Sequence, residues 1–105
     1  MLISTTDVVV GKEIIETIGL VKGNSVQSRN IGRDMMAGLR NIVGGEMKEY
    51  AEMLTRSREL ATKAMVEEAR QLGADAIVGV RFSTSSVMDG TSEVLAYGTA
   101  VRYQS

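Results

Sequence analysis

The chain has 105 residues, 12 Lys or Arg against 13 Asp or Glu for a net charge of −1, and no His, Cys, Pro or Trp. That length suits a single domain over residues 1–105, and 44% apolar with 24% charged residues is the balance of a folded globular chain rather than a disordered one. The missing residue types exclude disulfides, thiolate or imidazole metal sites, a Cys nucleophile and a Ser-His-Asp triad, and near-neutral charge with four aromatics argues against nucleic acid as a partner.

In chain order, the opening Met1–Asp7 lacks the basic-then-apolar layout of a signal peptide. No apolar run approaches the ~20 residues that cross a bilayer, so no membrane partner and a cytoplasmic location are expected. Residues 12–27 are rich in β-branched side chains and broken at Gly19 and Gly23, which predicts a long strand bent or bulged near the glycines. Alternation puts Ile14, Ile18 and Leu20 on one face and Ile15, Thr17 and Val21 on the other. Apolar residues on both faces suit a strand covered on both sides.

From Ile31 to Val43 the spacing turns helical through Ile31, Met35, Leu39 and Ile42 or Val43, with Asn30 as N-cap and Asp34 in the first turn. Gly44-Gly45 interrupts it. Residues 46–72 carry the strongest signal, a stripe of Met47, Tyr50, Leu54, Ala61, Met65 and Leu72 widened by Ala51, Ala64 and Ala69, with Gly73 as C-cap. Glu52–Arg56 and Glu59–Lys63 are favourably ordered i,i+4 pairs. Such a rod is about 40 Å long, whereas a compact chain of this size has a radius of gyration of about 13 Å, so long strands or a neighbouring subunit must cover it.

Residues 76–87 and 93–103 predict that cover, two strands about a turn containing Asp89-Gly90. In the first, Ala76, Val78, Val80 and Phe82 share a face opposite Ile77, Gly79, Arg81 and Ser83; in the second, Leu95, Tyr97, Thr99 and Val101 lie opposite Val94, Ala96, Gly98 and Ala100. The order β-α-α-β-β makes the chain α+β, an antiparallel sheet packed on one long helix.

Residues 19–25 and 28–34, Gly38-Leu39-Arg40-Asn41-Ile42-Val43-Gly44-Gly45-Glu46, residues 73–81 and Tyr97-Gly98-Thr99-Ala100-Val101 together resemble the YbjQ-like family of small bacterial proteins, in order and over nearly the whole chain. The resemblance implies a dodecin-like β-α-β-β subunit that assembles into a homopentameric ring, and it carries a heavy-metal-binding label. Soft and borderline metals prefer thiolate and imidazole, so the composition fits the implied fold and strains the label.

The remaining chemistry is sparse. Met35, Met36, Met47, Met53, Met65 and Met88 are possible thioether ligands, but Met35, Met47 and Met65 fall on apolar stripes where Met fills cores. Glu46, Glu49 and Glu52, with Glu67-Glu68, could hold a hard cation, yet Lys48, Arg56 and Arg70 are interleaved and a solvated helix face explains them. Gly44-Gly45-Glu46 lacks the spacing of a phosphate loop, and Ser83-Thr84-Ser85-Ser86 has no base beside it. The best binding candidate is Arg29, Asn30, Arg33 and Asp34 with Arg40 and Glu46: three guanidinium forks beside a helix start could gather an anion, or serve as ion pairs between subunits. The expectation is therefore a non-enzymatic, self-associating ring with no cofactor, taking a small ligand or anion at an interface or pore. Metal binding through carboxylate and carbonyl oxygens is the alternative.

Overall fold

A computed structural model describes residues 1–28 and 45–104. The chain builds a four-stranded mixed sheet with one long helix on one face. The strands are β1 (Leu2–Ile3), β2 (Ile14–Ser28), β3 (Ala76–Met88) and β4 (Thr91–Tyr103), in sheet order β1-β3-β4-β2, and the helix α1 spans Gly45–Gln71. The helix expected over residues 31–43, with its cap Asn30, lies outside the described residues.

The sheet is not wholly antiparallel. β1 runs parallel to β3, pairing Leu2 with Ala76 and Ile3 with Ile77. A two-residue strand is too short to show a period of two, so the alternation that betrays the other strands could not betray this one. The remaining pairs, β2 with β4 and β3 with β4, are antiparallel as expected.

β4 alternates as the sequence indicates: Val94, Ala96, Gly98 and Ala100 are buried under the helix. β2 and β3 depart from simple alternation, each at a glycine. In β3 the register against β4 shifts between Val78 and Arg81, where Gly79 takes φ +60°. Ile77 and Val80 consequently share the helix-side core, while Ala76 and Val78 pack on the opposite face. The expected set of Ala76, Val78, Val80 and Phe82 is thus split, because a bulge adds one residue and exchanges the two faces beyond it. In β2 a shift between Thr17 and Gly19, with Gly19 at φ +141°, likewise brings Ile18 to the same core as Val21 although the two were expected on opposite faces.

The bulge at Gly79 is held by the N-terminal segment. Gly79 N–H donates to Thr6 O (2.9 Å), Val80 N–H to Ser4 O (3.0 Å), and the Arg81 guanidinium to Thr5 O (3.0 Å). The same segment brings Val9 over a small second core of Ala76, Val78 and Val101, with Ile14 and Tyr103 at its margin. Lys12 lies over the Tyr103 ring at 5.1 Å.

The helix meets the sheet through a narrow row in which small residues alternate with methionine. Met53, Ser57, Ala61, Met65 and Ala69 recur every fourth position and are buried. Met47 and Leu72, expected on the stripe, are 68% and 50% exposed, and Ala51 and Ala64 are also exposed. Only Ala61, Met65 and Ala69 of the expected stripe are wholly covered. The reason is close approach: Gly23 in β2 lies under the helix backbone at Ala61 and Met65, and the gap admits no larger row. The buried Ser57 hydroxyl satisfies itself on Ser25 O (3.2 Å). α1 ends as expected in a Schellman turn, with Gly73 at φ +79°, Gly73 N–H donating to Arg70 O and Ala74 N–H to Ala69 O, both at 3.1 Å.

The β3–β4 turn falls at Asp89-Gly90 as predicted. Only Gly90 has positive φ (+73°), so this is not the type I′ turn, which needs both central residues left-handed. A register shift between Ser86 and Met88 absorbs the difference.

Candidate functional site

The residues singled out for anion binding cannot be assembled into a site from the described structure. Arg29, Asn30, Arg33, Asp34 and Arg40 lie outside the described residues, and Glu46 falls in the first turn of α1. Nor do the carboxylates converge: among the described residues no three of Asp and Glu come close enough to hold a metal ion. Ion pairs between described residues are Arg70–Glu67 (3.4 Å) and Arg102–Glu16 (3.5 Å), both exposed. Glu52–Arg56 and Glu59–Lys63 do not close, as befits long side chains on a solvated helix face.

What the fold does create is uncovered surface, on two sides. On the face away from α1, cross-strand partners line up as Leu20 with Thr99, Lys22 with Tyr97, Asn24 with Leu95 and Val26 with Glu93. The N-terminal segment covers this face only at its Val78–Val101 end. Beyond it Leu20 is 66% exposed, Val26 54% and Tyr97 36%. β2 was expected to be covered on both faces; among the described residues α1 covers one, and the other is covered only at the end where Val9 and Ile14 pack.

The second surface lies beside the helix. α1 packs over β2 and β4 rather than over β3. The offset opens a groove of about 470 Å³ lined by Thr55, Arg58, Glu59, Thr62, Lys63 and Phe82. Phe82, whose partner across the sheet is Ala96, is 47% exposed there. Arg58 is anchored to Thr55 Oγ1 (3.2 Å). From Arg81 to Met88 every residue of β3 is exposed. Ser83-Thr84-Ser85-Ser86 lies in this stretch, a polar strand end that leads into the Asp89-Gly90 turn.

Beneath the start of α1 sits a buried polar group that the sequence did not suggest. Ser25, Ser57 and Ser92 are each at most 8% exposed, and Tyr50 Oη hydrogen-bonds Ser92 Oγ at 2.7 Å. Gln27 Nε2 donates to Ser25 Oγ at 3.1 Å. The available signal was Ser57 itself, which stands at the four-residue interval before Ala61 and so continues the buried row.

This is a small α+β protein whose described donors are carboxylate, hydroxyl, thioether and backbone oxygen, with apolar surface left open. A family model described as "Putative heavy-metal-binding" matches residues 1–104, and the chain belongs to that YbjQ family. The chain is similar to a UPF0145 protein of Vibrio parahaemolyticus, 61% identical over 102 residues and 97% of each chain. It is also 55% identical over 102 residues to a UPF0145 protein of Halorubrum lacusprofundi, covering 97% of this chain and 98% of the relative. That second relative is archaeal, so the family is not confined to bacteria as expected. Neither name specifies an activity. In fold, the chain resembles a protein of unknown function of the DUF74 family from Pediococcus pentosaceus, with TM-score 0.68, 19% identity and coverage of 99% and 98%. At that identity the likeness concerns the fold alone. Among the described residues, no helix is long and apolar enough to cross a membrane.

Proposed function

We propose that the protein is a self-assembling module, a dodecin-like subunit of a homopentameric ring whose interfaces or pore take a small anion or ligand. The observation that carries this reading is the open sheet face. Leu20, Val26 and Tyr97, with the half-exposed Leu95 among them, form an apolar row that no other described element covers, on the face opposite α1. A row of this kind is what a neighbouring subunit buries. The fivefold count rests on the family resemblance. In such a ring Arg29, Arg33 and Arg40 supply guanidinium forks for the anion, with Asn30, Asp34 and Glu46 around them. Equilibrium sedimentation of the full chain tests the reading: a mass near five times 11.3 kDa at micromolar concentration is expected, and a stable single-chain mass overturns it.

A second reading follows from the family description, a metal held by oxygen ligands. The described residues do not fit a soft heavy metal, which wants thiolate or imidazole. They leave open a hard divalent ion bound by carboxylates that symmetry brings together around an axis. Calorimetric titration with Mg²⁺, Ca²⁺ and Zn²⁺ separates the readings. Saturable heat that disappears in Glu46→Gln supports the metal reading, and no heat above buffer rejects it.

A further inference from the structure

The turn between β3 and β4 leaves a reactive pair of residues unrestrained. Met88 pairs with Thr91, so Asp89 and Gly90 alone form the loop. Asp89 is exposed and, among the described residues, its carboxylate makes no hydrogen bond or ion pair. Gly90 lies outside both strands, and its N–H donates to no described group. Asp89 Cγ and Gly90 N belong to adjacent residues, so bringing them together needs only rotation about the Asp89 backbone and side chain. Glycine leaves that rotation unhindered, having no Cβ to crowd the carboxyl group. Loop tips that pack against little are also where local opening is easiest.

The comparable positions among the described residues are held. The Asp75 carboxylate accepts from Tyr103 N–H at 3.1 Å, and Asp75 N–H donates to Val101 O. Asp7 is followed by the β-branched Val8, whose side chain crowds the nitrogen that would have to attack. Asn24, the one described asparagine, sits in the β2–β4 ladder with its amide on Glu93 Oε2 at 3.1 Å.

We propose that Asp89-Gly90 is a site of spontaneous covalent modification, at which the aspartate isomerises to isoaspartate through a cyclic imide. Gly90 N attacks Asp89 Cγ to form a new C–N bond, and the carboxyl hydroxyl leaves as water with the amide hydrogen. The resulting succinimide joins Asp89 C and Cγ to the same nitrogen. Water then adds at one of these two carbonyls. Attack at Cγ breaks the new bond and restores aspartate. Attack at C breaks the original peptide bond and leaves the chain running through Cβ and Cγ, with a free α-carboxylate. One water leaves and one returns, and no oxidant, cofactor or second chain takes part. The inference therefore stands apart from the self-assembly reading. Isoaspartate adds one main-chain atom to a two-residue loop, whose length sets the pairing of the strands it joins. Ser92, two residues beyond Gly90, is buried and bonded to Tyr50 Oη, so the change falls close to where the sheet holds the start of α1.

Incubating the full folded chain in water enriched in heavy oxygen, then digesting it with trypsin in ordinary water, tests this by mass spectrometry. Peptide 82–102 contains Asp89 and no other Asp or Asn, while Asp7 and Asp75 fall in peptides 1–12 and 71–81. Peptide 82–102 should gain heavy oxygen and resolve into two species of equal composition, one of which fragments as isoaspartate. The other two peptides should stay unlabelled. Asp89→Glu, whose imide needs a larger ring, should lose the labelling. Asp89→Asn should acquire it several-fold faster, because ammonia replaces water as the leaving group. Conversion in the folded wild type should lie within a factor of a few of that in urea. An unlabelled peptide 82–102, labelling no greater than at Asp7 and Asp75, or conversion slower than in urea by orders of magnitude overturns the proposal.

Discussion

Gly23→Ala is expected to lower stability by about 3 kcal/mol, at the upper end of ordinary overpacking, because the obstruction is backbone. A Cβ at this position would run into Ala61 O, Met65 N and, at 2.8 Å, the Ala64 Cβ. A crowded side chain can change rotamer. A helix backbone cannot move without dragging the whole α1–β2 contact with it. The apparent melting temperature should fall by roughly 12–24 °C, given about 4–8 °C per kcal/mol for domains of this size. Thermal denaturation at fixed protein concentration measures it. Lys22→Ala, one residue away and exposed, should stay within about 0.5 kcal/mol of wild type. Adding Ala64→Gly to Gly23→Ala should restore little, since it removes one obstruction and leaves the two backbone ones. Full rescue by that second change would show that the side chain, not the backbone, sets the spacing.

Met65→Ala is the second large effect. Met65 is the largest side chain to be fully buried, wedged among Val21, Ala61, Ala69, Ile77 and Val94. Truncation removes its transfer free energy and leaves a cavity that small neighbours fill poorly, at a cost of about 2–5 kcal/mol. Met65→Leu preserves most of the volume and should cost less than about 1.5 kcal/mol. Met47→Ala supplies the contrast. The two methionines occupy equivalent places on the periodic stripe, yet Met47 is 68% exposed, so its replacement should fall within about 0.5 kcal/mol of wild type. Equal losses at both positions, read from urea midpoints, would contradict the packing described for α1.

These two pairs of variants also mark where the sequence is legible. The long helix, its glycine stop, the Asp89-Gly90 turn and the alternation of β4 all follow from local rules, and all are found. Periodicity tells which residues recur on a face, not how wide a strip of that face the sheet can reach. Met47 and Leu72 belong to the periodic stripe but lie at the two ends of the rod, while Ser57 belongs to the buried strip without being apolar. The glycines in β2 and β3 were readable as bulges, but a bulge exchanges faces only when its position in the register is known. Gly79 and Gly19 therefore reversed assignments that counting by two had made. β1 was invisible for lack of length. The proposed anion-binding residues stand apart from this lesson, since five of the six fall outside the described residues.

The bulge at Gly79 has a consequence for how the protein opens. By shifting phase in mid-strand, β3 contributes Ile77 and Val80 to one core and Ala76 and Val78 to another on the opposite side of the sheet. At the Val78–Val101 end the described residues thereby form three layers, helix, sheet and N-terminal strap, and at the other end two. The strap is tied to β3 beyond its two-residue strand by a few hydrogen bonds converging on residues 77–81. Its few bonds and small core make it a separate cooperative unit that can detach while the helix and the three long strands remain folded. Its release would bare Ala76, Val78 and Val101 and leave β3, from its first residue, without a described neighbour on the side away from β4. The phase shift thus couples the order of the first dozen residues to the length of strand edge the chain presents.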